Sequence, residues 1–171
     1  MINFPSSPSV GDVHIVSGRT WQWDGTSWNS LPASAPVPIG FEAYASVVTS
    51  LTGSTAVKVG FQTATKNDGS GYDTANARFT APIAGWYSFS SHVRVGTTAT
   101  KLYMFLYKNG ASYKEIGTVG GTASETIKGD AILYLAEGDY VEVFAQQHAA
   151  TQNTSIGTTG TTWFAGARIS G

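Results

Sequence analysis

The chain has no cysteine among its 171 residues. That absence excludes disulfides, thiolate metal sites and cysteine nucleophiles together. Charge is scarce too. Asp, Glu, Lys and Arg supply 12% of the residues, and the net charge is −1. That share is about half the usual one. The basic residues, 10 in all, are scattered without a run. Nucleic acid and anionic membranes select clustered Lys and Arg, so neither is an expected partner. No apolar run approaches the ~18 residues of a membrane helix, so no membrane insertion is expected. The opening stretch MINFPSSPSVGDVHIVSG lacks both the positive and the apolar region of a secretion signal. No signal peptide is expected.

A sustained 3.6-residue period is also missing, and no helix longer than a turn is expected. What the chain has instead is 20 glycines, with many Thr, Ser and Ala. This composition suits short strands joined by turns. Residues 1–30 read as a small unit. In GRTWQWDGTSWNS, Trp21 and Trp23 share a strand face by period two, and Trp28 can return across from them. Asp24-Gly25 between them predicts a two-residue type I′ hairpin turn. Such a unit is too small to fold on its own core and must pack on something, most readily on copies of itself. Its tryptophans are either a local packing cluster or an aromatic ligand patch. Residues 31–40, LPASAPVPIG, hold three prolines and predict a stiff, extended linker.

From Phe41 to the end, residues 41–171 alternate strand and turn. FEAYASVV and AVKVGF alternate, and GWYSFSSHVRV sets Tyr87, Phe89, Val93 and Val95 against Ser88, Ser90, His92 and Arg94. KLYMFLYKNG ends in an Asn-Gly turn, AEGD separates DAILYL from DYVEVFA, and TTWFAGARIS closes the chain. Eight to ten strands in about 130 residues predict a sandwich or a jelly roll.

One spacing is specific. Phe61, Asn67, Tyr72, Phe79, Gly85, Tyr87 and Phe89 are separated by five, four, six, five, one and one residues. This resembles the signature of the globular head domain of complement C1q, a relative of tumour necrosis factor. The last signature position, usually aromatic, is Ser91 here, which weakens core packing locally. LYKNG, KGDAILYLAEGDYVEVF and WFAGARI resemble the family's later strands and turns. The resemblance implies an all-β, ten-stranded, two-sheet jelly roll that forms a homotrimer, with one sheet of each subunit facing the threefold axis. The signature aromatics are then core residues. The first thirty residues resemble a short module that recurs in tail-fibre and other structural proteins of bacteriophages, through Pro, Gly-Asp, Gly-Arg-Thr-Trp and Trp-Asp-Gly followed by a third Trp. No Gly-X-Y stalk is present. Together the two resemblances imply a non-enzymatic virion protein made in the host cytoplasm. The expected role is a tail-fibre tip that binds a host-surface glycan or protein, joined to other tail or fibre proteins through residues 1–30. The alternatives are an architectural head or tail decoration without a receptor, or a bacterial lectin-like binder, which the missing signal peptide disfavours.

Other chemistry is thinly represented. No Gly-x-Ser-x-Gly nucleophile elbow stands in the chain, and no paired carboxylates recur at strand spacing for glycoside hydrolysis, though residues distant in sequence could meet in the fold. No cofactor is expected, although some relatives bind calcium near the trimer apex. In NDGSGYD, Asn67, Asp68 and Asp73 are weak candidate oxygen ligands without the bidentate Glu of a calcium loop. His92 could join its symmetry mates around an ion on the trimer axis, or be an ordinary solvated or hydrogen-bonded histidine. The candidate receptor site is Tyr103, Phe105 and Tyr107. Both parities of KLYMFLY are apolar, and Leu102, Met104 and Leu106 match the family's inward positions. The other three then form an outward aromatic row suited to stacking sugar rings, unless a loop or the trimer interface covers them.

Overall fold

The computed structural model describes residues 3–16, 19–31, 38–98, 101–120, 124–148, 152–154 and 161–170. The chain divides into two compact units, Met1–Val37 and Pro38–Gly171. Most of the proline-rich linker falls outside the described residues, and Gly40 at its end already belongs to a strand.

The first unit is an antiparallel meander of β1 (Val13–Val16), β2 (Arg19–Trp23) and β3 (Trp28–Ser30). Trp23 lies directly across from Trp28. The connection differs from a type I′ turn. Four residues, Asp24 to Ser27, separate the paired tryptophans, and of Asp24 and Gly25 only Gly25 has a positive φ, 105°. The reason is the Asp24 side chain. Its Oδ1 accepts from the backbone N–H of Thr26 and of Ser27, both at 2.8 Å, and its Oδ2 accepts from Asn29 Nδ2 at 2.6 Å. A side chain that caps its own loop in this way competes with the tighter turn. On one face of the meander Phe4 stacks on Trp28 at 5.2 Å and meets Trp21 edge-on at 5.3 Å, with His14 at 5.7 Å. The Trp21 Nε1 proton is buried there without a hydrogen-bond partner.

The second unit is a two-sheet jelly roll. Sheet I has the order β13 (Ser124–Leu135), β10 (Gly85–Thr98), β16 (Trp163–Ser170), β4 (Gly40–Tyr44) and β7 (Thr63–Asp68). Sheet II runs β12 (Ala111–Val119), β11 (Leu102–Lys108), β14 (Tyr140–Gln147), β9 (Arg78–Thr80) and β8 (Tyr72–Asp73), with β6 (Val57–Lys58) also on β14. β5 (Ser50–Leu51) pairs with β15 (Gln152–Asn153). The described residues thus hold thirteen strand segments in this unit rather than ten, because four of them are only two residues long. All the sheet pairings are antiparallel, and no helix occurs among the described residues.

The inner faces of the two sheets meet in one core. Phe41 is its hub, stacked on Tyr72 at 4.6 Å and Phe79 at 5.0 Å, and edge-on to Phe164 at 4.9 Å. Tyr87, Phe89 and Phe61 complete the aromatic layer, and Leu102, Met104, Leu106, Leu133 and Val143 fill it from the flanks. Each such side chain contributes roughly 1.5–3 kcal/mol of transfer free energy. The signature spacing is therefore a core code with a turn lock. Asn67 is its exception, being exposed. Its side-chain amide clamps the next turn, accepting from Tyr72 N–H and donating to Tyr72 O, both at 2.9 Å. The Tyr72 hydroxyl donates to Phe61 O at 3.0 Å, and the Tyr87 hydroxyl to Ile83 O at 2.7 Å. Ser91, in place of an aromatic, is fully buried and donates to Trp163 O at 2.9 Å. Phe164 lies directly across the ladder from Ser91 and supplies the ring at that level of the core.

Backbone and rings approach closely at Gly166. A Cβ there would stand 2.5 Å from Phe89 Cδ1 and 2.9 Å from Phe41 Cε1. Gly166→Ala is expected to destabilise the fold by ~1–3 kcal/mol through overpacking, visible as a lower melting temperature. At Gly138, with φ +84° and open space around the missing side chain, Ala is expected to cost only the left-handed penalty of roughly 1–2 kcal/mol. Equal, negligible shifts for both variants would contradict this account.

Candidate functional site

Once β11 is pinned by its inward residues, its other parity must face out. Leu102, Met104 and Leu106 are fully buried, and Tyr103, Phe105 and Tyr107 alternate with them as half-buried rings on the outer face of sheet II. Tyr103 and Phe105 lie nearly parallel, 6.2 Å apart with 15° between ring planes. Tyr107 continues the row by a different contact. It stacks on Phe144 of β14, with ring centroids 3.7 Å apart. Phe144 itself lies directly across from Phe105, and Gln146 across from Tyr103. The sequence expectation did not include Phe144. In DYVEVFA it has the parity opposite to Val141 and Val143, a signal that could have placed it outside.

Polar groups border this aromatic face. Lys101 Nζ sits 4.8 Å from the Tyr103 ring centroid, and the Tyr103 hydrogen bond, with Glu115 nearby, holds the ammonium above its ordinary value. His148 packs against Tyr103 at 5.4 Å, and its ring nitrogens lie 3.0 Å from Gln146 Nε2 and 3.2 Å from Ser54 Oγ. On the β6 side, Lys58 pairs with Glu142 at 2.9 Å and also donates to Asn76 O at 2.8 Å. On the opposite parity, at the end of β11, Lys108 reaches toward sheet I, donating to Tyr134 O at 3.2 Å and pairing with Asp139 at 2.9 Å. Asp139 also accepts from Asn109 Nδ2 and from the backbone N–H of Ala136. The Asn109 bond, then Lys108 and Ala136, pull its carboxyl down to about 2.

The outer face of sheet I has a different character. Trp86 (47% exposed), Ile132 (59%), Tyr134 (50%) and Ile169 (52%) stand out from it. Trp86 lies across from Tyr134, ring edge to face at 5.8 Å. Next to them Gly40, Ser88, Ser90, Ala165 and Ala167 leave a shallow groove of about 360 Å³ with Lys66 at its rim.

The candidate ion ligands are not brought together. Asp68 pairs with Lys66 at 3.1 Å. Both Asp73 oxygens accept N–H groups instead, from Ala75 and Asn76 backbone and from Asn76 Nδ2 at 2.6 Å, which lowers its pKa. Asn67 is committed to Tyr72. Among the described residues no three His, Asp or Glu side chains converge. His92 does lie on the outward parity of β10, buried rather than solvated. It is only 8% exposed, with Trp163 stacked near it at 6.1 Å, and its Nδ1 is buried without a partner. Burial is the main cause that lowers its pKa. A hydrogen bond to the Thr161 backbone acts the other way, and the Lys128 and Arg94 charges add to the lowering.

Two antiparallel sheets in this order make the head a jelly roll of the tumour necrosis factor-like class. The fold is similar to the Eiger TNF of S. frugiperda, with a TM-score of 0.62 at 8% identity over 78% of this chain and 93% of that one. It is also similar to murine APRIL, at 0.61 and 14% identity over 77% and 99%. The globular domain of zebrafish complement 1qA matches at 0.54 and 17% identity over 77% and 97%. Residues 41–167 match the C1q domain family, and the chain belongs to that family. The Bacillus subtilis (strain 168) protein YqcC, described as uncharacterized, is 28% identical over 147 residues. That alignment covers 81% of this chain and 38% of YqcC, so the chain spans well under half the length of that curated relative.

The two titrations separate by pH. His92 has a depressed folded pKa, so its contribution to stability is present above the ordinary 6.5 and is lost as pH falls below it. Asp139, also depressed, contributes fully above 3.8 and loses that contribution only as pH falls toward about 2. His92→Phe is therefore expected to flatten the loss of stability between pH 7.5 and 5, measured by denaturant melts at each pH. Asp139→Asn is expected to leave that window unchanged and to weaken the protein at neutral pH. A His92→Phe protein as acid-sensitive as the parent would refute the assignment.

Proposed function

We propose that the chain is a non-enzymatic structural and adhesive protein of a bacteriophage virion, a homotrimeric tail-fibre tip whose head binds the host surface. Residues 1–30 attach it to neighbouring tail or fibre proteins and help to hold the trimer. The observation that carries the reading is the contrast between the two outer faces of the head. Sheet I exposes large apolar side chains around Trp86 and Tyr134, which suits burial against a second copy. Sheet II carries a half-buried aromatic row with a polar border, which suits a ligand that is bound and released. C1q and tumour necrosis factor-like domains are typically non-enzymatic binding modules, in keeping with this division. The sequence resemblance of the first thirty residues to phage fibre modules supports the virion setting.

Light scattering is expected to return about three times the 18.0 kDa chain mass. Trp86→Asp combined with Tyr134→Asp is expected to return a folded monomer, since both side chains point away from the core. Pull-down on candidate host cells, with and without stripping of surface polysaccharide, tests adhesion. Binding that is lost on stripping is the expected result, and absence of binding to every host tested would leave only an architectural role.

A further inference from the structure

We propose that the outer face of β11 and β14 binds a neutral pyranose glycan, with Tyr103 and Phe105 as one stacking platform and the Tyr107–Phe144 pair as a second. This names the ligand class of the adhesive site and rests on that reading of the head.

Three observations select this occupant. The first is geometry. Tyr103 and Phe105 are nearly parallel at 15° and are spaced 6.2 Å along the strand, while Tyr107 is braced by Phe144 at 3.7 Å. The rings are therefore preorganised, and they offer large area at low entropy cost. The second is exposure. All four rings are half-buried, unlike the protruding Trp86, Ile132 and Tyr134 of sheet I. A protein partner selects a broad, exposed apolar patch, which sheet I provides. A pyranose has an apolar ring face and a hydroxyl rim, and it matches partly sunken aromatics with a polar border. That border is present as Gln146 and His148 beside Tyr103, and Glu115 opposite Phe105. The third is charge. The cations beside the row already have acidic neighbours: Lys58 pairs with Glu142, and Lys101 lies by Tyr103 and Glu115. Cations so engaged favour neutral over acidic sugars.

The full chain is titrated with neutral hexose oligosaccharides of glucose, galactose and mannose, and in parallel with a sialylated oligosaccharide. Saturation-transfer NMR between ligand protons and protein aromatic protons reads the contact without any substitution. The expected result is transfer from Tyr and Phe ring protons to at least one neutral oligosaccharide. Affinity is expected to fall at least tenfold in Tyr103→Ala and in Phe105→Ala, with an unchanged oligomeric mass, and to stay unchanged in Ser90→Ala on sheet I. Failure of every neutral oligosaccharide to bind, binding undiminished in both ring variants, or preference for the sialylated probe would each overturn the inference. Should a ring variant misfold, amide chemical-shift mapping of the parent decides: a neutral oligosaccharide is expected to perturb β11 and β14, and perturbation confined to sheet I overturns the inference. Host-cell binding by the same proteins separates the two levels. Cells bound equally by parent and ring variants refute the glycan face and leave adhesion standing. An oligosaccharide bound at the rings of a protein that binds no cells refutes adhesion and leaves the glycan face standing.

Discussion

Close packing of aromatic rings around Phe41 is the interaction on which the rest of the head depends. Its ring contacts Tyr72, Phe79, Phe89 and Phe164, which come from β8, β9, β10 and β16. Sheet I and sheet II are thereby held at one spacing, and the glycine at position 166 is what lets the strand backbone approach these rings. Interiors packed this densely deform little. Once the inner faces are set, every strand has one parity left over, and the functional surfaces are made of that remainder.

The two remainders are unlike. Along β10 and β16 the outward residues run from Trp86 and Ile169 through the small Ser88, Ser90, Ala165 and Ala167 to His92 and Trp163, with Ile132 and Tyr134 of β13 alongside. Along β11 they are aromatic, and along β14 aromatic and polar in alternation. The few carboxylates do little for recognition, because most are spent on the fold itself. Asp24 and Asp73 each cap their own loop through backbone N–H groups, and Asp139 ties the turn at Asn109 to the one at Ala136. With net charge −1 there is no broad field to steer an ionic partner. The proposed adhesive face would hold its ligand by shape, ring faces and short-range hydrogen bonds.

Membership of the C1q family was legible before any fold was seen, since a jelly roll writes its core as widely spaced aromatics with turn residues between. Alternation was equally legible, but both parities of KLYMFLY are apolar, so it was the resemblance to the family's inward positions that placed Leu102, Met104 and Leu106 inside, where they are. Loop chemistry was less so. Asp24-Gly25 reads as a tight turn, yet the Asp24 carboxylate finds four nearby donors and opens the loop to four residues.

Alternation and turn signals determined the all-β character, because they depend on neighbours within one strand or one turn, and the family resemblance chose which parity of β11 turns inward and so which forms the outward aromatic row. Tertiary structure decided what stands next to that row. Phe144 reaches Tyr107 only because β14 pairs with β11, and His92 is buried only because β16 brings Trp163 over it. In the same way Asn109 meets Asp139 across two turns some thirty residues apart. A chain records its own alternation, but which strand becomes its neighbour is settled by the packing of both sheets at once.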